Sequence, residues 1–113
     1  MNKDFREFQE YFKEYQKEFG LLGYRIYFEY APIGPDFAAI RISQTKMVAD
    51  VRLNSELLEE NKKYKNIRQS AKHEAIHLLV ARLAENGRHR YIPENEIEEA
   101  EEELVERLVK LLP

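Results

Sequence analysis

The residues most able to do chemistry in this 113-residue chain are His73, Glu74 and His77, which form the pattern H-E-x-x-H. Histidines four positions apart lie on one face of an α-helix, about 40° apart around its axis, so both imidazoles can reach one ion. Zinc binds imidazole nitrogen, and a catalytic zinc site keeps one position for water. Glu74 is placed to accept a proton from that water. The pattern therefore predicts a zinc site with His73 and His77 as ligands and Glu74 as general base.

The motif lies in the stretch 66–85, which is predicted to be a long helix ended by Asn86-Gly87. The face that carries the two histidines also carries the small residues Ser70, Ala81 and Ala84, which leave room for an ion and another chain segment. The other faces of the helix are apolar and predict burial: Ile67, Ala71, Ile76, Leu78, Leu79, Val80 and Leu83. The alternative is that the two histidines are core residues that bind nothing.

A catalytic zinc site needs a third protein ligand. The chain has no cysteine and no aspartate after the motif, so the candidates are the glutamates of the last predicted helix, residues 94–112. Periodicity places Glu101 within the apolar stripe of that helix and Glu102 at its edge, with Glu98 on the same flank as Glu102. It mildly favours Glu101. The solvated face of the helix is predicted to hold Glu96, Glu99, Glu103 and Glu106.

Three segments together resemble phage-encoded and prophage-encoded metallopeptidases: residues 73–79 (HEAIHLL), an Arg-Tyr pair at 90–91, and residues 101–108 (EEELVERL). Those proteins are small zincins whose third ligand is a glutamate, the gluzincins. The likeness extends over roughly residues 47–112 and includes residues 51–58 (VRLNSELL), which resemble the strand and turn before the motif helix. The resemblance implies Zn²⁺ as cofactor and maps the third ligand onto Glu102. Because periodicity favours Glu101 instead, Glu102, Glu101 and Glu98 all stay open.

The segment between the two site helices supplies candidate donors for stabilising an oxyanion. His89, Arg90 and Tyr91 lie there, and any of them can also be an ordinary loop residue. His89 is in addition a weaker candidate for the third ligand.

The predicted helices and strands along the chain define the fold that must bring these residues together. Aromatic residues at spacings of three and four predict a helix over 3–19, ended by Gly20. Strands are predicted at 24–30, 37–43 and 47–53, with residues 44–46 joining the last two, and a short helix over 56–60 capped by Asn54 or Ser55. In the last strand, Met47, Ala49, Val51 and Leu53 alternate and should face one way. We expect one α+β domain over residues 1–113, with an antiparallel or mixed sheet covered by helices on one side.

Composition narrows the functional classes. The net charge of −3 argues against a nucleic-acid binder, and no apolar run approaches the length of a membrane span. The N-terminus is too charged for a signal peptide, so a cytoplasmic protein is expected. Charge is nonetheless uneven: residues 94–113 hold eight glutamates against Arg107 and Lys110, while a basic run precedes the motif at Lys62, Lys63, Lys65, Arg68 and Lys72. That run is expected to be solvated, to pair with the acidic helix or to meet an anionic substrate.

The sequence thus favours a zinc metallopeptidase that acts on a protein or peptide, whose extended backbone adds to an edge strand of the sheet. One alternative is a zinc-binding interaction module of a phage or mobile element without hydrolytic activity. Another is a helical interaction protein that needs no metal. The intact Glu74 favours the enzyme. The sequence does not indicate the substrate or the oligomeric state.

Overall fold

The computed structural model describes residues 2–88 and 93–113, so His89, Arg90 and Tyr91 lie outside the described residues. The described residues form an α+β fold of four helices and a three-stranded mixed sheet, as the sequence predicts. In chain order the elements are α1 (Lys3–Glu18), β1 (Arg25–Ala31), β2 (Ala38–Ser43), β3 (Val48–Asn54), α2 (Glu59–Lys62), α3 (Ile67–Arg88) and α4 (Glu94–Leu111). None of the helices in this part of the chain is long and apolar enough to cross a bilayer.

The sheet has the strand order β1-β3-β2. β1 pairs with β3 in parallel, whereas β2 pairs with β3 antiparallel through a hairpin, with Ile40 opposite Val51. The mixed sheet is therefore the correct one of the two predicted types. Because β3 is central, β2 is an edge strand, and it is the strand against which α3 packs.

The core lies between one face of the sheet and the helices α1 and α3. Ala49, Val51 and Leu53 point from β3 toward this core, as the alternation predicts, while Met47 is 43% exposed in the hairpin turn before β3. Met47 has a positive φ of 55°, so the strand alternation does not extend to it. The remaining buried members of the cluster come from the two helices: Phe8, Phe12, Tyr15, Ala71, Ala75 and Leu78.

The helix that carries the motif is longer and less buried than predicted. α3 continues through Gly87 to Arg88 instead of ending at Asn86-Gly87. A Cβ on Gly87 would lie 3.2 Å from Cδ1 of Ile97. This glycine therefore lets α4 approach α3 closely and does not end the helix. The expectation that all other faces of the helix are buried is wrong, because Leu79 and Leu83 are exposed, Leu83 at 66%.

α4 packs on α3 through a second, smaller apolar cluster. Val105 and Val109 of α4 are buried against Ile76 of α3. Lys72 of α3 donates hydrogen bonds to the carbonyl oxygens of Val109, at 2.5 Å, and of Leu112, which satisfies carbonyls of the last turn of α4. The basic run is therefore not wholly solvated. Leu111, at the end of α4, lies outside this cluster and is 78% exposed.

Asn54 holds the loop between β1 and β2. Its side-chain amide donates to the carbonyl oxygens of Gly34 and Asp36, each at 2.8 Å, and its Oδ1 accepts from the backbone N–H of Glu56 at 2.8 Å. Asn54 therefore ties a turn and does not cap the short helix, which begins at Glu59 with Leu58 before it instead of spanning 56–60. The loop so held carries Asp36 to one border of the cleft described below.

We expect Asn54→Ala to lower the free energy of unfolding by about 2–3 kcal/mol, because it leaves two carbonyls and one N–H of a partly buried loop without partners. Urea denaturation followed by circular dichroism measures this. The matched control is Asn95→Ala on the exposed first turn of α4, for which we expect a change within about 0.5 kcal/mol. Equal effects of the two substitutions would contradict the structural role of Asn54.

Candidate metal centre

His73, Glu74 and His77 lie on α3 where it faces α4 and the edge strand β2. The helix places the two imidazoles side by side, with ring centroids 4.9 Å apart. Their Nε2 atoms are 3.2 Å apart. Two nitrogens at this distance on one helix face can share one ion or one proton.

Glu102 of α4 lies on the Nε2 side of both imidazoles. Its Oε1 is 2.8 Å from Nε2 of His77, and its Oε2 is 3.6 Å from Nε2 of His73. One donor atom from each of His73, His77 and Glu102 lies within 4.8 Å of the other two. Nitrogen lone pairs and a carboxylate that converge in this way need a proton or a cation among them.

The opposite nitrogens of the two rings are held by other carboxylates of α4. Nδ1 of His77 is 3.0 Å from Oε2 of Glu101, and Nδ1 of His73 is 2.9 Å from Oε1 of Glu106. Because an ionised carboxylate only accepts hydrogen bonds, a proton on each Nδ1 gives Glu106 and Glu101 a donor and directs both Nε2 lone pairs toward Glu102, where a cation can join the three groups. Glu101 is itself held by Arg88, whose Nη2 donates to its Oε1 at 2.8 Å.

The predicted third-ligand candidates therefore separate in space. Glu102 lies at the Nε2 atoms, while Glu101 is inside the packed stripe, 13% exposed, at the Nδ1 atom of His77. Glu98 has no carboxylate oxygen within 4 Å of either imidazole and lines the neighbouring cavity instead. Ser70 and Ala81 also line the cavities beside the histidines, whereas Ala84 faces an apolar groove between α3 and α4.

Glu106 is the functional candidate that the sequence reading misses. It was predicted on the solvated face, and its side chain is in fact 55% exposed, but its carboxylate reaches His73. The available signal was its position four residues after Glu102, which places it on the same flank of α4 one turn later. The segment with the three candidate oxyanion donors is outside the described residues.

Glu74 is the most buried carboxyl of the site, at 6% exposure, and it lines the cleft beside both histidines. Burial raises its pKa to about 8, with further contributions from the negative charges of Glu102 and Asp36. Burial also lowers the pKa of His73 below its usual value, and the adjacent His77 lowers it further, against opposing contributions from Glu102 and Glu106. A neutral imidazole at His73 is the form that binds metals.

A cleft runs along both sides of these residues. It has one cavity of about 500 Å³ toward the C-terminal end of α3 and one of about 470 Å³ toward its N-terminal end. The two cavities share Asp36, Ala38, His73, Glu74 and Glu102. Residues of β2 border the cleft, so the open edge of the sheet lies next to the histidines.

Comparison with known proteins adds no relative. A scan against family models finds no match, and neither the curated proteins nor the solved structures contain a significant match. The interpretation of the site consequently depends on the geometry of its own residues.

The buried Glu74 makes the stability of the metal-free protein depend on pH. Below its ordinary pKa of 4.5 the carboxyl is neutral in both states, but between 4.5 and about 8 the unfolded chain releases the proton that the folded protein retains. The free energy of unfolding should therefore fall as pH rises through this window, by about 1.4 kcal/mol per unit from this group. Glu74→Gln carries no titrating carboxyl at this position and does not lose stability in this way. The difference in free energy of unfolding between the variant and the wild type should therefore be small at pH 5 and should favour the variant most at pH 8.

Urea unfolding of both proteins in EDTA at pH 5, 6, 7 and 8 measures the effect, with Glu99→Gln on the exposed side of α4 as control. Stability curves of wild type and Glu74→Gln that run parallel across the range would show that Glu74 is not a buried, neutral carboxyl.

Proposed function

We propose that this protein is a zinc-dependent metallopeptidase that hydrolyses peptide bonds, with His73, His77 and Glu102 as zinc ligands and Glu74 as general base. The observation that carries the proposal is the convergence of the two Nε2 atoms and the Glu102 carboxylate within 4.8 Å of one another. The resemblance of the motif and of the last helix to phage-type gluzincins supports the same ligand set.

The donor set fits zinc. Two imidazole nitrogens and one carboxylate are a ligand combination of catalytic zinc sites, in which the remaining position is open. Both imidazoles have a carboxylate on the nitrogen opposite the site, which is the usual outer support of metal-binding histidines. A zinc ion held there supplies Lewis acidity, which lowers the pKa of water and polarises a peptide carbonyl.

Glu74 is suited to move the proton of the reaction. It follows the first histidine, is buried, and borders the same cleft, so its carboxylate can take a proton from the attacking water and deliver it to the leaving amine. Its raised pKa lies near neutrality, where a carboxyl exchanges protons readily. Its ionised form is favoured once a cation occupies the adjacent site.

The open edge of β2 supports a peptide as the substrate. β2 pairs with β3 on one side only, and Ala38, Ala39, Ile40 and Ile42 line the cleft beside the histidines. An extended peptide can add to such an edge through backbone hydrogen bonds, which places its amide groups along α3. Backbone recognition of this kind fits a protein or peptide substrate better than a small molecule.

We expect the purified protein to bind about one zinc per chain, and His73→Ala, His77→Ala and Glu102→Ala to lose it on dialysis. Elemental analysis and competition with a chromophoric chelator measure content and affinity. Zinc content equal to that of the wild type in the histidine variants would overturn the site.

The same assay tests the outer carboxylates, which are Glu101 and Glu106 at the Nδ1 atoms of the two histidines. Glu101→Gln and Glu106→Gln should keep a site but raise the zinc dissociation constant about 10–100-fold, whereas the control Glu99→Gln should not change it. If Glu101→Ala lost zinc and Glu102→Ala retained it, Glu101 would replace Glu102 as the ligand.

Glu74→Gln should retain zinc and lose hydrolysis, because the amide cannot accept the proton. We expect cleavage of an unfolded protein substrate by the zinc-loaded wild type and a fall of at least about 100-fold in the variant, measured as release of new amino termini. Equal cleavage by both proteins would contradict the role of Glu74. Zinc binding without any cleavage by the wild type would instead favour a non-catalytic zinc-binding module.

A further inference from the structure

The two halves of the cleft differ in charge. The half toward the N-terminal end of α3 has the uncharged Tyr64, Asn66, Gln69 and Ser70 in its wall, and among the described residues the one carboxylate that lines this half alone, Glu106, pairs with His73. The half toward the C-terminal end of α3 instead has three carboxylates of its own against one arginine: Glu85, Glu98, Glu101 and Arg88. Asp36, Glu74 and Glu102 border both halves. The cleft is therefore electrostatically asymmetric around the histidines.

Helix geometry places the acidic groups at regular distances from the histidines. His77, Ala81 and Glu85 succeed one another at intervals of four on α3, so they share one face and Glu85 lies about 12 Å along the axis from His77. Glu98 precedes Glu102 by four residues on α4 and lies about 6 Å along the axis from it. Both carboxylates border the same 500 Å³ cavity.

Three of these carboxylates are free of ion pairs within the part of the chain that the structure describes. Glu101 is neutralised by Arg88 at 2.8 Å. Glu85 and Glu98 have no basic nitrogen within 4 Å among residues 2–88 and 93–113, and Asp36 has none there either. The floor between them is apolar and consists of Ala38, Ile40, Ile42 and Ala81.

Glu74 opens onto this cavity as well as onto the other half of the cleft. Its carboxyl is 6% exposed, has no hydrogen-bond partner among the described residues, and borders the cavity. A buried polar group without a partner is costly unless something else meets it. The acidic wall, the apolar floor and the unpartnered Glu74 therefore belong to one continuous space beside the histidines.

We propose that the half of the cleft toward the C-terminal end of α3 binds a lysine or arginine side chain of the peptide substrate, with Glu98 and Glu85 as the residues that determine this specificity. The proposal rests on the proposed peptidase function and names the substrate class of that site. The apolar floor accommodates the methylene stem, as long cationic side chains commonly bury their stems while the charged end meets carboxylates. Asp36 contributes negative charge from the loop that Asn54 holds.

The test uses the full chain loaded with zinc and a set of internally quenched peptides that differ only in carrying Lys, Gln or Glu at one position, scanned across both sides of the cleaved bond. At one of these positions we expect kcat/KM to be about tenfold higher for Lys than for Gln, because each of the two carboxylates at the cavity surface is expected to contribute about threefold. Glu should be worse than Gln, and the preference should shrink in 0.5 M salt, roughly as screening requires.

Glu98→Gln and Glu85→Gln should each lower the Lys-to-Gln ratio about threefold while the zinc content stays unchanged. Glu98→Lys should favour Glu peptides over Lys peptides. The control Glu99→Gln removes an equal charge from a position of α4 that borders neither cavity, and it should leave the ratio as in the wild type.

A binding measurement separates this proposal from the peptidase assignment. Zinc-loaded Glu74→Gln is titrated with fluorescein-labelled Lys, Gln and Glu peptides, with and without Glu98→Gln, and fluorescence anisotropy gives the dissociation constants. Tighter binding of Lys peptides that depends on Glu98 supports the cationic subsite even if the wild type cleaves nothing, in which case only the peptidase function fails. Cleavage or binding that is equal for Lys and Gln, or a preference that survives both substitutions, overturns the subsite and leaves the peptidase proposal standing.

Discussion

The packing of α4 on α3 is the contact on which the whole candidate site depends. Val105 and Val109 are buried against Ile76, and this small apolar cluster sets the rotation of α4 about its own axis. With that rotation, three glutamates of α4 reach the imidazoles of His73 and His77, at Nε2 for Glu102 and at Nδ1 for Glu101 and Glu106. A turn of α4 by one residue, about 100°, would remove all three contacts. The close approach at Gly87 and the bonds from Lys72 to the end of α4 hold the same arrangement at its two ends.

Electrostatics at the site oppose stability, and this is a usual sign of function. Glu74 is buried among acidic neighbours, and its pKa is raised to about 8 as a result. An apolar residue of similar size would stabilise the same position better than a carboxyl. The carboxyl is therefore better explained by a chemical role than by a contribution to the stability of the fold. The outer carboxylates have a different role, since Arg88 and the imidazoles give Glu101 and Glu106 partners. Glu85 and Glu98, which have no basic partner among the described residues, both line the half of the cleft toward the C-terminal end of α3.

Local patterns predicted much of the fold. The three-and-four spacing of aromatic residues identified α1, and alternation identified Ala49, Val51 and Leu53 as the core face of β3. Predictions were wrong where a local signal had a tertiary use. Asn86-Gly87 is a common helix end, but α3 continues because Gly87 lets Ile97 of α4 approach. Leu79, Leu83 and Leu111 are apolar and yet exposed, since the described part of the protein has no second layer to cover them.

The sequence by itself determined that His73 and His77 share a helix face with Glu74 beside them, because a spacing of four residues has that meaning in any α-helix. It also restricted the partner carboxylates to α4, since no cysteine is present and no aspartate follows the motif. Only the tertiary structure decided which glutamate meets which nitrogen. Periodicity correctly placed Glu101 in the packed stripe, but Glu102 is at the Nε2 atoms and the half-exposed Glu106 reaches His73. That choice depends on the rotation and axial offset between two helices, which the packing of Ile76, Val105 and Val109 sets and which no pattern within a single helix contains.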